Sequence, residues 1–94
     1  MRLEWTHAAS RDLDLVAKYI SRDNPAAAIT TVRRIIRQTS MLAEHPGMGR
    51  PGRVEGTREL VIAGLPYVVA YIHEDDVVIV LRVMHGARKW PRRF

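Results

Sequence analysis

At 94 residues the chain predicts one domain, and a composition of 47% hydrophobic and 27% charged residues excludes a disordered tail. Fifteen basic against ten acidic residues leave a net charge of +5, with thirteen arginines among the basic ones, so the surface suits nucleic acid or an acidic protein segment. The absence of cysteine excludes disulfides, thiolate nucleophiles and cysteine-held metal, and Leu60 to Ile72, the longest uncharged stretch, falls short of the roughly 20 apolar residues of a membrane span.

The opening residues Arg2-Leu3-Glu4-Trp5 alternate polar and apolar, which predicts a short strand with Leu3 and Trp5 on one face. They reach a carboxylate before any apolar run, unlike a secretory leader, so the expected location is the cytoplasm. From His7 to Ile20 the residues Ala9, Leu13, Val16, Ala17 and Ile20 recur on one helical face, with Thr6 as N-cap. Asn24 and Pro25 then supply a capping oxygen and a first-turn proline. They open a second helix that runs to about Glu44 with Ala28, Val32, Ile35, Ile36, Thr39, Leu42 and Ala43 as its apolar stripe. The two helices should form an antiparallel hairpin.

His45 to Gly56 holds four of the six glycines and two of the five prolines and is expected to be a loop. Beyond it the period changes to two. Thr57 to Ile62, Tyr67 to Ile72 and Val77 to Met84 read as strands joined by short turns, hence an antiparallel meander. The expected fold class is α+β in the order β-α-α-β-β-β. The N-terminal strand and helical hairpin pack on one face of an antiparallel sheet, and residues 86–94 form an irregular basic tail.

If the turns are tight, Ile62 pairs with Tyr67, Leu60 with Val69, Arg58 with Tyr71, Ile72 with Ile79 and Val69 with Arg82. One face then carries Val61, Val68, Ala70, Ile72, Val77, Ile79, Leu81 and Val83 with Glu59, and is the expected seat of the helices. The other carries Arg58, Tyr67, Tyr71 and Arg82 among Leu60, Ile62, Val69, Val80 and Met84, and is the expected functional face.

Arg82 lies within an apolar run, where an unpaired guanidinium would be very costly. It needs either an internal carboxylate or an external anion. His85, just before Gly86, is placed to act as a general acid or base or as a structural residue. His7, His45 and His73 lack the spacing of a metal site, and the glycine-rich segment lacks the pattern of a phosphate loop. No metal or cofactor is expected.

The segments Asp23-Asn24-Pro25-Ala26-Ala27-Ala28, His45-Pro46-Gly47-Met48-Gly49-Arg50, Gly56-Thr57-Arg58-Glu59-Leu60, Leu65-Pro66-Tyr67-Val68-Val69-Ala70-Tyr71 and Leu81-Arg82-Val83-Met84-His85-Gly86-Ala87-Arg88-Lys89-Trp90-Pro91 together resemble, in order, the RelE/ParE superfamily of bacterial type II toxins. The resemblance spans nearly the whole chain and implies a growth-arresting toxin neutralised by a cognate antitoxin in a hetero-oligomer. In its ParE-like branch the target is DNA gyrase and the action is non-enzymatic. In its RelE-like branch the toxin is a ribosome-dependent endoribonuclease of mRNA.

Arg58, Arg82 and Arg88 could supply the cations of a ribonuclease, with His85 for proton transfer. The aromatic residue near the end, however, is Trp90, which exchanges no proton at ordinary pH. The resemblance therefore favours the ParE-like branch, with Arg58, Tyr71, Arg82, Arg88, Lys89 and Trp90 as target contacts. The ribonuclease and an inactive basic binding module are the alternatives. For Trp90 a second role is open, that of covering an edge of the sheet.

Overall fold

The computed structural model describes all residues from Met1 to Phe94. Strand β1 (Arg2–Trp5) leads into helix α1 (His7–Ser21), followed by α2 (Pro25–Ser40). Two single 3-10 turns, Met41–Ala43 and Pro46–Met48, then precede strands β2 (Arg50–Pro51), β3 (Arg58–Val61), β4 (Tyr67–Glu74) and β5 (Val77–His85).

Both helix starts are built as the sequence dictates. Thr6 Oγ1 accepts the Ala9 N–H at 3.1 Å, and Asn24 Oδ1 accepts the Ala27 N–H at 3.0 Å with Pro25 at the first helical position. The second helix stops at Ser40 and tightens into the first 3-10 turn, so it is shorter than expected. Its buried face is Ala28, Thr31, Ile35 and Thr39, whereas Ile36 is 45% exposed. Ile36 stands about 100° around the helix from Ile35 and so leaves the face that meets the sheet.

The five strands form one sheet in the order β1-β5-β4-β3-β2. β3, β4 and β5 make the antiparallel meander, with Gly64 (φ +78°) in the first turn and Asp75 (φ +47°) in the second. β1 is an edge strand parallel to β5, from Arg2 opposite Val77 to Trp5 opposite Val80, rather than a segment lying on the sheet's face. The parallel pairing follows from the hairpin, which returns the chain across the sheet before the meander begins.

The expected pairs Arg58 with Tyr71, Leu60 with Val69 and Ile72 with Ile79 are present. Val69, however, faces Val83, and Arg82 faces Ala70. Between the pairs Tyr71–Val80 and Ala70–Arg82, β5 carries one extra residue, Leu81. Thr6 holds this bulge, because its N–H donates to the Val80 carbonyl at 3.0 Å and its hydroxyl to the Leu81 carbonyl at 3.0 Å.

The helices cover the opposite face from the one expected. The core joins Ala9, Ile35 and Leu42 to Leu60, Ile62, Tyr67, Val69, Tyr71, Val78, Val80 and Val83, with Leu3 and Trp5 packed against it. Tyrosine rings bury more apolar area than the alanine and valines across the sheet, and a phenol can take its hydroxyl inside if it finds a partner. On the other face Glu59, Val68, Ala70 and Met84 are also buried, although no helix lies there. The nearby loop brings Arg53 to this side, where its N–H donates to the buried Glu59.

Candidate functional site

Two side chains from adjacent strands stitch down the segment Pro46–Arg53. On the helix-covered face, the Tyr71 hydroxyl donates to the Pro46 carbonyl at 2.7 Å and accepts the Gly49 N–H at 2.9 Å. On the far face, Glu59 accepts from Arg50 Nε at 3.2 Å and Nη2 at 3.0 Å through Oε1, and from the Arg53 N–H at 2.7 Å through Oε2. Burial pushes the Glu59 carboxyl up, but these hydrogen bonds and the charges of Arg53 and Arg50 outweigh it and hold the group below the usual range.

Arg53 also carries the connection to the tail. Its guanidinium lies 4.0 Å from the centre of the Trp90 ring, and its Nη1 reaches the Gly86 carbonyl at 3.4 Å. Trp90 in turn meets Phe94 edge to face at 6.3 Å. The relay Glu59–Arg53–Trp90 was not legible in the sequence, which marks Glu59 only as a misplaced charge on an apolar face.

Of the residues singled out from the sequence, Tyr71 is fully buried and presents no surface to a partner. Arg58 is exposed, with Nη1 donating to the Gly49 carbonyl at 2.8 Å. Arg82 is paired with Asp12 of α1, and its guanidinium pKa is raised by the hydrogen bond to that carboxylate. Arg58 and Arg82 thus do not share an open sheet face beside Tyr71. The first lies at the rim of the helix-covered face and the second reaches α1, because the bulge at Leu81 and the larger core residues reverse the expected assignment.

A concavity lies elsewhere, between α1 and the end of β5. It encloses about 400 Å³ and is lined by Leu15, Val16, Pro66 and Val83 together with Tyr19, Tyr67, His85 and Arg88. The Asp12–Arg82 pair forms one wall. The rings of Tyr67 and His85 meet edge on at 5.8 Å, and His85 Nδ1 accepts the Ala87 N–H at 3.1 Å. Leu15 is 52% and Tyr19 68% exposed, so the rim is apolar and open. Among the sequence candidates only Arg82, His85 and Arg88 come together here; Lys89 is exposed and Trp90 half-buried in the tail. No cluster of histidine and carboxylate side chains offers a metal site.

The model of the ParE toxin family of type II toxin-antitoxin systems, parDE, matches residues 3–90. The protein Y4kP of Sinorhizobium fredii is 47% identical over 91 residues, covering 97% of this chain and 94% of that one. The toxin RelE2 of Caulobacter vibrioides is 37% identical over 84 residues, covering 89% and 93%. Among solved structures, the chromosomal ParDE toxin-antitoxin system of Pseudomonas aeruginosa superposes with a TM-score of 0.81 at 30% identity, covering 90% of this chain and 95% of the matched one. This chain belongs to the ParE family of toxins of type II toxin-antitoxin systems, within the RelE/ParE superfamily.

Proposed function

We propose that the chain arrests growth by binding and inhibiting DNA gyrase, without a catalytic step of its own, and that an antitoxin segment seated in the α1–β5 cleft neutralises it. The observation that carries this reading is that two of the guanidiniums a ribonuclease would use are engaged within the fold and one nitrogen of its imidazole is taken. Arg82 is bound to Asp12, Arg58 donates to the Gly49 carbonyl, and the His85 Nδ1 is occupied by the Ala87 N–H. Similarity to the ParDE system of P. aeruginosa supports an antitoxin partner and the ParE-like branch, for which the sequence resemblance implies gyrase as target. The contact surface would be basic and bordered by the tail, with Arg58, Arg88 and Lys89 supplying charge and Trp90 an aromatic plane.

A second reading is favoured by one observation. An imidazole, a phenol and a guanidinium, those of His85, Tyr67 and Arg88, line one cleft, and the relative from C. vibrioides is named RelE2. In that reading the chain is a ribosome-dependent mRNA endoribonuclease. Purified chain added to a gyrase supercoiling assay and, separately, to a translating ribosome extract decides between the two. Loss of supercoiling with intact mRNA is the expected result; cleaved mRNA with unaffected supercoiling overturns it.

A further inference from the structure

The α1–β5 cleft combines one satisfied ion pair with a set of side-chain donors that have no partner in the chain. Both Asp12 oxygens are taken: Oδ2 accepts Arg82 Nε at 2.6 Å and the Val83 N–H at 3.0 Å, and Oδ1 accepts Arg82 Nη2 at 3.0 Å. That pair is neutral as a unit, with three of the carboxylate's roughly four acceptor positions filled.

Three donors remain. Tyr67 is 9% exposed, lines the cleft, and its hydroxyl has no partner within the chain. Burial, with Tyr19 nearby, raises its pKa against the opposing pull of Arg88, so the phenol keeps its proton. Because His85 Nδ1 accepts the Ala87 N–H, the neutral ring carries its proton on Nε2. Arg88 forms no ion pair, so once Asp12 and Arg82 cancel it is the single uncompensated charge of the cleft. The other walls, Leu15, Val16, Pro66 and Val83, are apolar.

We infer that Tyr67, His85 and Arg88 form a carboxylate subsite in the cleft, which recognises an Asp or Glu adjoining an aliphatic residue on a peptide. A single net positive charge matches one carboxylate, the aliphatic walls match the neighbouring side chain, and about 400 Å³ fits one or two residues of a bound segment. The subsite rests on the reading of the cleft as the antitoxin's seat and specifies what that segment must carry.

The full chain, labelled with 15N, is titrated with the blocked peptide acetyl-Ala-Leu-Glu-Ala-amide, with its Gln counterpart, and with uridine 3′-monophosphate. The expected result is shifts confined to the amides of α1 around Leu15 and Tyr19 and of Val83 to Arg88. The Gln peptide should bind about tenfold more weakly, as for one charge-assisted hydrogen-bonding group. Arg88→Gln removes the preference for Glu, and Tyr67→Phe, which preserves the ring, reduces it. Equal binding of both peptides to the unmodified chain, shifts elsewhere, or tighter binding of the nucleotide at these residues overturns the subsite. Supercoiling and translation assays fail or succeed independently of this titration, so a chain that spares gyrase yet prefers the Glu peptide refutes the target and leaves the subsite standing.

Discussion

Arg82 and Asp12, 70 positions apart in the chain, are joined by two hydrogen bonds of 2.6 and 3.0 Å. The same carboxylate also caps the Val83 N–H on the side of β5 turned away from β4. One acidic side chain thus fastens α1 to the sheet where β1 has ended and β5 would otherwise present an open edge. The pair answers the question that Arg82 poses in the sequence, since the guanidinium is satisfied from within. Arg82→Ala is expected to destabilise the fold by about 2 kcal/mol, less than the roughly 3–5 kcal/mol of a fully buried pair. The difference arises because the Arg82 side chain is 35% exposed. Denaturant unfolding measures this; unchanged stability would show that the pair contributes nothing.

Glu59 should give the fold an acid-sensitive component. Its folded pKa is lowered from the ordinary carboxyl value, so the stabilisation is complete above the pKa of the unfolded carboxyl and disappears as pH falls through the folded value. Glu59→Gln is expected to cost about 2 kcal/mol near pH 7, the order of a charge-assisted hydrogen bond. The difference between the two proteins should narrow as pH falls through the lowered folded pKa of Glu59. Thermal melts across that range test the sign: a gap that widens on acidification contradicts it.

Gly49 is required by a close approach rather than by backbone conformation. A Cβ there would lie 2.5 Å from the Tyr71 hydroxyl and 2.8 Å from the Glu59 carbonyl oxygen, and the latter is backbone that cannot swing aside. Gly49→Ala is expected to destabilise by about 2 kcal/mol or more. Tyr71→Phe should cost about 1–3 kcal/mol, because it leaves the Gly49 N–H without its partner. Amide exchange should accelerate at Gly49 in Tyr71→Phe while the α1 amides keep their protection.

The tail is tied to the fold through Trp90 and Arg53. Ending the chain after Ala87 should lower the melting temperature by about 5 °C, as loss of a cation–π contact worth about 1 kcal/mol does in a domain of this size. Trp90→Phe should recover most of the loss, since the ring remains and the indole Nε1, buried without a partner, is removed. A truncated chain that melts with the full-length protein would show that Trp90 serves binding alone.

Much of the architecture follows from local sequence. Thr6, Asn24 and Pro25 set the helix starts through contacts three residues long, and Gly64 and the Glu74-Asp75-Asp76 segment mark turns that fix the pairing of Arg58 with Tyr71 and Ile72 with Ile79. Thirteen arginines state that the surface suits an anion, and the ordered motifs already resemble the toxin superfamily. Which face the helices cover was decided only in three dimensions. Period-two alternation sorts β3 and β4 into two faces, but it does not say which set goes inside when both are apolar. The larger rings of Tyr67 and Tyr71 win that competition because the Tyr71 hydroxyl finds Gly49 and Pro46 within the fold.

The bulge at Leu81 depends on Thr6, 75 residues away, and shifts Arg82 by one place against β4. The cleft likewise needs α1 laid against β5, so that Tyr67, His85 and Arg88 open on the same space as Leu15 and Tyr19. Chain-local propensity sets elements and turns; the partners of a buried charge and the lining of a cleft come from segments whose meeting depends on how the whole sheet closes against the hairpin.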